Sequence, residues 1–223
     1  MSTQSISEYL DELIRNLPVQ YLNEHALLGD AAQPEDTFLD DPEFQCYQWL
    51  YAVGKTYCPR NILEFGVRYG YAGIALLLGA KAACGCDNFT YLGIDSEFDG
   101  IRSNSIARAS LKTLNESSSV IPLETDSPYL PTFLREYKKF DLVYVDADHS
   151  EEGIRRELRL AVEFSDPDVG IILVDDIDTR HIREATLDVA YNLGIEPLTL
   201  PTFHGTMLLD RGGNIQQSAG NKI

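Results

Sequence analysis

The stretch Asn61-Ile-Leu-Glu-Phe-Gly-Val-Arg-Tyr-Gly-Tyr-Ala72 constrains this chain more than any other. Asn61 to Phe65 is a short apolar run carrying one carboxylate, and it reads as a buried parallel strand. Gly66 and Gly70 make a turn, and Tyr71 to Leu78 is an apolar run of helical length. Strand, glycine turn and helix, in that order, open a nucleotide-binding α/β sheet. Glycine is required where backbone approaches a ligand, because a Cβ would collide with it. The charge of Glu64 at the strand tip would repel a pyrophosphate. It suits a cationic ligand bearing an amino group.

Strand and helix patterns alternate from there. Tyr91 to Asp95, Val120 to Leu123, Asp141 to Asp146 and Val169 to Asp175 read as strands. Ile101 to Leu114, a short segment after Pro128, Glu151 to Phe164 and Thr179 to Leu193 read as helices. Ser150 caps the Glu151 helix, and Glu151 and Glu152 sit in its first turn, where the dipole favours anions. Gly194 closes the Thr179 helix. The ending differs. Glu196 to Pro201 and Thr206 to Asp210 are strands separated only by Thr202 to Gly205, too short for a crossover helix, so they must be antiparallel. The pattern predicts a Rossmann-like, doubly wound α/β fold, a seven-stranded sheet mostly parallel with a C-terminal antiparallel hairpin.

Ahead of this lie two helical patterns. Ile6, Leu10, Leu13, Ile14 and Leu17 recur at helical spacing behind a Ser5–Glu8 capping box, and Pro18 stops the run. Residues 18–40 are polar and irregular, and Asp41 to Tyr57 reads as a second helix. The expected organisation is an N-terminal helical arm or lid over 1–58, a catalytic-type α/β domain over 59–212 and a loose tail over 213–223.

A net charge of −17 with no basic cluster argues against nucleic acid and anionic membrane surfaces as partners. No apolar run reaches the ~18 residues of a membrane span. The first residues lack the basic and apolar regions of a signal peptide, so a cytoplasmic location is expected. The four cysteines, Cys46, Cys58, Cys84 and Cys86, read as separate reduced loop thiols, since Cys84-Gly-Cys86 has no second pair to complete a metal clip. An amphipathic N-terminal helix ahead of a polar arm is compatible with a homodimer.

Ligands of open α/β sheets bind beyond the carboxyl ends of the strands. The residues expected there are all acids: Glu64, Asp95, Asp146 and the pair Asp175-Asp176. Asp95 would grip ribose hydroxyls, or merely cap the following turn. Asp146, Asp175 and Asp176, brought together, would repel without a counter-charge. A hard divalent cation supplies it, and oxygen ligands suit Mg²⁺ or Ca²⁺. Taken singly, such acids are also helix caps or solvated turns. His149 follows Asp146 by three residues. It is either a base that takes a proton from a substrate hydroxyl or an exposed loop histidine. His25, His181 and His204 read as ordinary surface or hinge residues.

Together these residues resemble the class I S-adenosylmethionine-dependent methyltransferases, and within them the cation-dependent O-methyltransferases that include the catechol and caffeoyl-CoA enzymes. Bacterial small-molecule and sugar methyltransferases with an Asp-x-Asp-His motif are also similar. The resemblance covers roughly residues 60–210. It implies that Glu64, Gly66 and Val67 contact the methionine part of the cofactor and that Gly93-Ile-Asp95 holds the ribose. Thr125-Asp126-Ser127 resembles the Gly-Asp-Ser segment that flanks the adenine. Tyr144-Val-Asp-Ala-Asp-His149 implies Asp146 as a metal ligand, Asp148 near the cofactor and His149 where catechol methyltransferase carries its catalytic lysine. Val174-Asp-Asp176 is similar to the second metal segment.

The chain departs from that pattern at several positions. Ala72 replaces a Ser or Thr, Thr125 a Gly and Asp176 an Asn, and Arg68 is an addition. The expectation is a Mg²⁺-dependent O-methyltransferase using S-adenosylmethionine on a hydroxylated small molecule. A metal-independent methyltransferase and a non-catalytic cofactor-binding regulatory subunit are the alternatives.

Overall fold

Seven strands lie in the order β3-β2-β1-β4-β5-β7-β6. The structure is a computed structural model that describes residues 42–85, 88–96 and 101–213. The helix expected over 5–17 and the polar arm over 18–40 lie outside the described residues. The strands are β1 Asn61–Phe65, β2 Thr90–Asp95, β3 Ser118–Pro122, β4 Leu142–Val145, β5 Ile171–Val174, β6 Leu198–Leu200 and β7 Thr206–Asp210. β1 to β5 pair in parallel, whereas β7 pairs antiparallel with both β5 and β6. The expected α/β sheet with its C-terminal hairpin is the one observed.

Successive strand residues enter opposite cores. Ile62, Tyr91, Leu142, Tyr144 and Leu173 pack on one face. Leu63, Leu92, Val143, Val145 and Val174 pack on the other. Side chains alternate across a strand, and here both faces are covered by helices, so both sets must be apolar. That is why these strands read as continuous apolar runs.

The helices are α1 Pro42–Tyr57, α2 Tyr71–Cys84, α3 Ile101–Leu114, α4 Leu130–Leu134, α5 Glu151–Phe164 and α6 Arg180–Leu193. Trp49, Leu50, Ala52 and Val53 of α1 are buried in the same core as β1 and α2. The α1 and α2 backbones touch: a Cβ at Gly54 would lie 2.3 Å from the Leu76 carbonyl oxygen, and one at Gly79 would lie 2.1 Å from that of Tyr51. This contact carries α2 past Leu78, where the apolar run ends, to a left-handed cap at Gly85. Among the described residues no helix is long and apolar enough to cross a membrane.

Two cysteine expectations are corrected. Cys58 and Cys84 form a disulfide with Cα atoms 5.9 Å apart. α1 and α2 run side by side in the same direction, so their C-terminal ends meet, a proximity that sequence spacing does not show. Cys46 is a helix residue of α1, not a loop thiol, and it reaches the carboxyl end of the sheet.

Candidate active site

Every strand-end acid singled out above lies along the carboxyl edge of the parallel strands. Gly66 leaves β1 at φ 84, and a Cβ there would stand 2.0 Å from the carbonyl oxygen of Asp146. The glycine turn therefore lies directly against the first residue beyond β4. Asp95, ending β2, accepts the backbone N–H of Val67 at 2.8 Å and of Arg68 at 2.7 Å on one carboxylate oxygen. The turn is thus held by the residue expected to reach the ribose. Arg68 is left-handed at φ 47, an uncommon conformation for a side-chain-bearing residue, and it recurs at functional turns.

Glu64 is fully buried on the face shared with α1 and α2. Its Oε2 accepts the Tyr91 hydroxyl at 2.7 Å. Its Oε1 has no hydrogen-bond partner among the described residues. Burial pushes this carboxyl well above the ordinary range, against the pull of the Tyr91 hydrogen bond. Gly73 and Gly93 leave room for the Tyr91 phenol, since a Cβ at either would meet that ring. A buried carboxylate oxygen lacking a donor fits the ammonium group of a methionine moiety, because an unmet buried acceptor is costly.

The segment expected at the adenine is tied inward at its first residue: the Thr125 hydroxyl donates to Glu157 at 2.7 Å. Asp126 is exposed and Ser127 half-buried. Asp148 has both oxygens engaged, Oδ1 by the Ser150 N–H at 2.9 Å and Oδ2 by Arg156 at 3.0 Å. Burial alone would raise its pKa, but the Ser150 bonds and the Arg156 charge hold it below the ordinary range.

His149 Nε2 lies 2.6 Å from Asp176 Oδ2 and 3.7 Å from Asp146 Oδ1. Hydrogen bonds to Asp146 and Asp176 push the imidazole up to about 10, outweighing partial burial. The same bond to His149 lowers Asp176. Burial raises Asp146 against the opposing pull of His149. One donor atom from each of Asp146, His149 and Asp176 lies within 4.8 Å of the other two. Two carboxylates at that spacing, with the imidazole beside them, fit a hard divalent cation held by oxygen. Asp176 is left-handed at φ 56.

Asp175 faces the other way. Its Oδ1 accepts the Thr206 hydroxyl at 2.6 Å, and its Oδ2 accepts Tyr144 at 2.8 Å and the Cys46 thiol at 3.6 Å. Tyr144 also approaches Asp146 at 3.5 Å. The structure thus brings Asp146, His149 and Asp176 together and joins Asp175 to them through Tyr144. Thr206 starts the strand paired antiparallel with β5, opposite the residue beyond Val174, and this pairing was the one signal for its contact with Asp175.

Two further histidines belong to this edge, although their sequence surroundings did not single them out. His181 Nε2 donates to the His149 carbonyl at 2.7 Å. His204 Nδ1 lies 3.4 Å from Asp178, and His204, Asp178 and Asp176 form a second group of close donors. The loop between β6 and β7 is held against the Asp176 loop by hydrogen bonds from Ile177 N–H to Gly205 and from Asp178 N–H to His204.

The strand order, the glycine turn at the carboxyl end of β1 and the acid ending β2 define a class I S-adenosylmethionine-dependent methyltransferase. A family model described as a methyltransferase domain matches residues 63–177, just over half of the 223 residues, and the chain belongs to that family. Solved structures agree in fold. The O-methyltransferase from Bacillus cereus in complex with SAH is similar, with a TM-score of 0.62 at 17% identity over 92% of this chain and 96% of that one. The O-methyltransferase TomG from Streptomyces achromogenes, solved with SAM and involved in tomaymycin synthesis, gives a TM-score of 0.60 at 18% identity over 94% and 98%. The SAH-bound methyltransferase PaMTH1 of Podospora anserina gives 0.56 at 17% over 94% and 96%. No curated protein matches the sequence.

Proposed function

We propose that this methyltransferase transfers the methyl group of S-adenosylmethionine to a hydroxyl of a small molecule, aided by a divalent cation. The observation that carries the reading is the convergence of Asp146, His149 and Asp176 beside the glycine turn. Glu64 and Asp95 would hold the methionine and ribose parts, with Val67, Asp126, Ser127 and Asp148 around the cofactor. The cofactor supplies the electrophilic methyl, and Mg²⁺ or another hard divalent cation, held by Asp146 and Asp176 with Asp175 behind them, would hold the substrate hydroxyl and lower its pKa.

The chain's own work is alignment and proton transfer. Asp146 and Asp176 set the position of the His149 ring. With a cation neutralising those carboxylates the imidazole would be neutral, and its Nε2 would then be the atom that receives the hydroxyl proton. Proton removal by a positioned base contributes about 10²–10⁴-fold in rate. Alignment of two bound reactants contributes up to ~7–11 kcal/mol of barrier lowering. The reaction balances as substrate oxygen gaining the methyl, the sulfonium becoming a neutral thioether, and the proton leaving through His149.

One observation favours a second reading, a metal-independent methyltransferase: the His149 imidazole at 2.6 Å already neutralises Asp176. Thermal shift separates the two. S-adenosylmethionine should raise the melting temperature, and Mg²⁺ should raise it further in wild type but not in Asp176→Ala. Stabilisation by the cofactor with no response to Mg²⁺ favours the second reading.

A further inference from the structure

Glu157 is a charged residue with no exposure, set in the middle of α5 and facing inward. Its Oε1 accepts the Thr125 hydroxyl at 2.7 Å and the backbone N–H of Asp148 at 3.1 Å. These donors come from two separate loops. Thr125 lies in the loop after β3, and Asp148 lies in the loop after β4 that carries Asp146 and His149. The same helix holds the second loop at two more points. Gly153 makes room for the Asp148 carboxylate, since a Cβ there would lie 1.9 Å from its Cγ, and Arg156 pairs with Asp148 at 3.0 Å.

We propose that Glu157 is a positioning residue that ties the adenine-side loop to the loop bearing His149, and that the Thr125 hydroxyl is its required partner. The proposal rests on the reading that residues 125–127 flank the cofactor's adenine. A buried carboxylate left short of a donor carries the desolvation cost of that group, so it enforces the position of whatever donates to it. The two donors sit in segments that must stay in register with each other. The departure at position 125 thereby gains a physical reason. A glycine there has no hydroxyl, and the buried oxygen of Glu157 would lose its shortest bond.

The test is calorimetric titration of the full chain with S-adenosylhomocysteine, alongside melting temperatures. Thr125→Val keeps the side-chain shape and removes the donor. It should weaken binding roughly tenfold, the size of one hydrogen bond to a charged group. Thr125→Ser should restore near-wild-type affinity. Leu158→Ala, a buried truncation on the same helix, should lower the melting temperature while leaving the affinity of the folded protein unchanged. In turnover, Thr125→Val should raise KM for S-adenosylmethionine more than it lowers kcat. Wild-type affinity in Thr125→Val, or failure of serine to restore it, overturns the positioning role. Absence of binding to the wild-type chain would instead remove the cofactor reading on which it stands.

Discussion

His149 Nε2 stands 2.6 Å from Asp176 Oδ2, so the histidine of the β4 loop and the second acid of the β5 loop form one ion pair across the carboxyl edge of the sheet. The pair joins the end of one parallel strand to the end of its neighbour. It places a proton-carrying ring among carboxylates whose charge a cation would otherwise balance.

The first prediction concerns the charge of that ring in the metal-free protein. Asp146 and Asp176 raise the His149 pKa to about 10. The pair's contribution to stability is therefore full below the unfolded value near 6.5 and is lost as pH rises through the folded value. Histidine NMR titration should show His149 protonated well above pH 7 in wild type, and closer to its ordinary range in Asp176→Asn. Addition of Mg²⁺ should lower the wild-type value. A wild-type midpoint near 6.5 that Asp176→Asn does not move would show that the pair does not form in solution.

Glu64 leads to a second expectation. Burial holds its carboxyl well above the ordinary range. Docking an ammonium group against Oε1 favours the carboxylate, and binding of S-adenosylhomocysteine at neutral pH should release a proton. Binding enthalpies measured in buffers of different ionisation enthalpy report that release directly. The dependence should vanish in Glu64→Gln, together with part of the affinity. Equal buffer dependence in both proteins would show that Glu64 does not meet the ammonium.

Gly66 and Gly85 both have positive φ, but only Gly66 is crowded. Gly85→Ala meets nothing within 4 Å and should cost about 1 kcal/mol, the usual penalty of a side chain in the left-handed region. Gly66→Ala must also push apart the β1 and β4 ends, and it should cost more than about 2 kcal/mol. Urea unfolding of the two variants gives the comparison. Equal midpoints would show that the turn does not press on Asp146.

The Cys58–Cys84 disulfide closes a chain segment with a sequence separation of 26. Cross-links of that span stabilise by roughly 2–4 kcal/mol. Reductant should lower the unfolding free energy of wild type by that amount, read as a fall in the denaturant midpoint at unchanged slope, and leave Cys84→Ser unchanged. A wild-type midpoint insensitive to reductant would show that the bond is not formed in solution.

Much of the fold was legible because local signals agreed. β1, α3, α5 and β7 fall on the residues that periodicity, caps and turn lengths pointed to. Edges were less legible where tertiary contact extends an element. β3 begins at Ser118 because its polar residues complete a ladder with Tyr91 and Leu92. α2 continues to Cys84 because Gly79 seats it against α1. In the candidate site, strand-end acids could be placed from the pattern, but side-chain direction could not. Asp175 and Asp176 are adjacent in sequence and face different partners, Thr206 and Tyr144 for the first and His149 for the second. The contacts of Cys46, Glu157, His181 and His204 depend on packing between distant segments, and no spacing announces them.

Metal-assisted methyl transfer to oxygen is tested most directly by following label from methyl-tritiated S-adenosylmethionine into a panel of hydroxylated metabolites, before and after exhaustive chelation. Label should enter at least one acceptor as a methyl ether. Transfer should fall to background with EDTA, return with Mg²⁺ and stay absent in Asp146→Ala whatever the metal supplied. Undiminished transfer after chelation would contradict metal assistance.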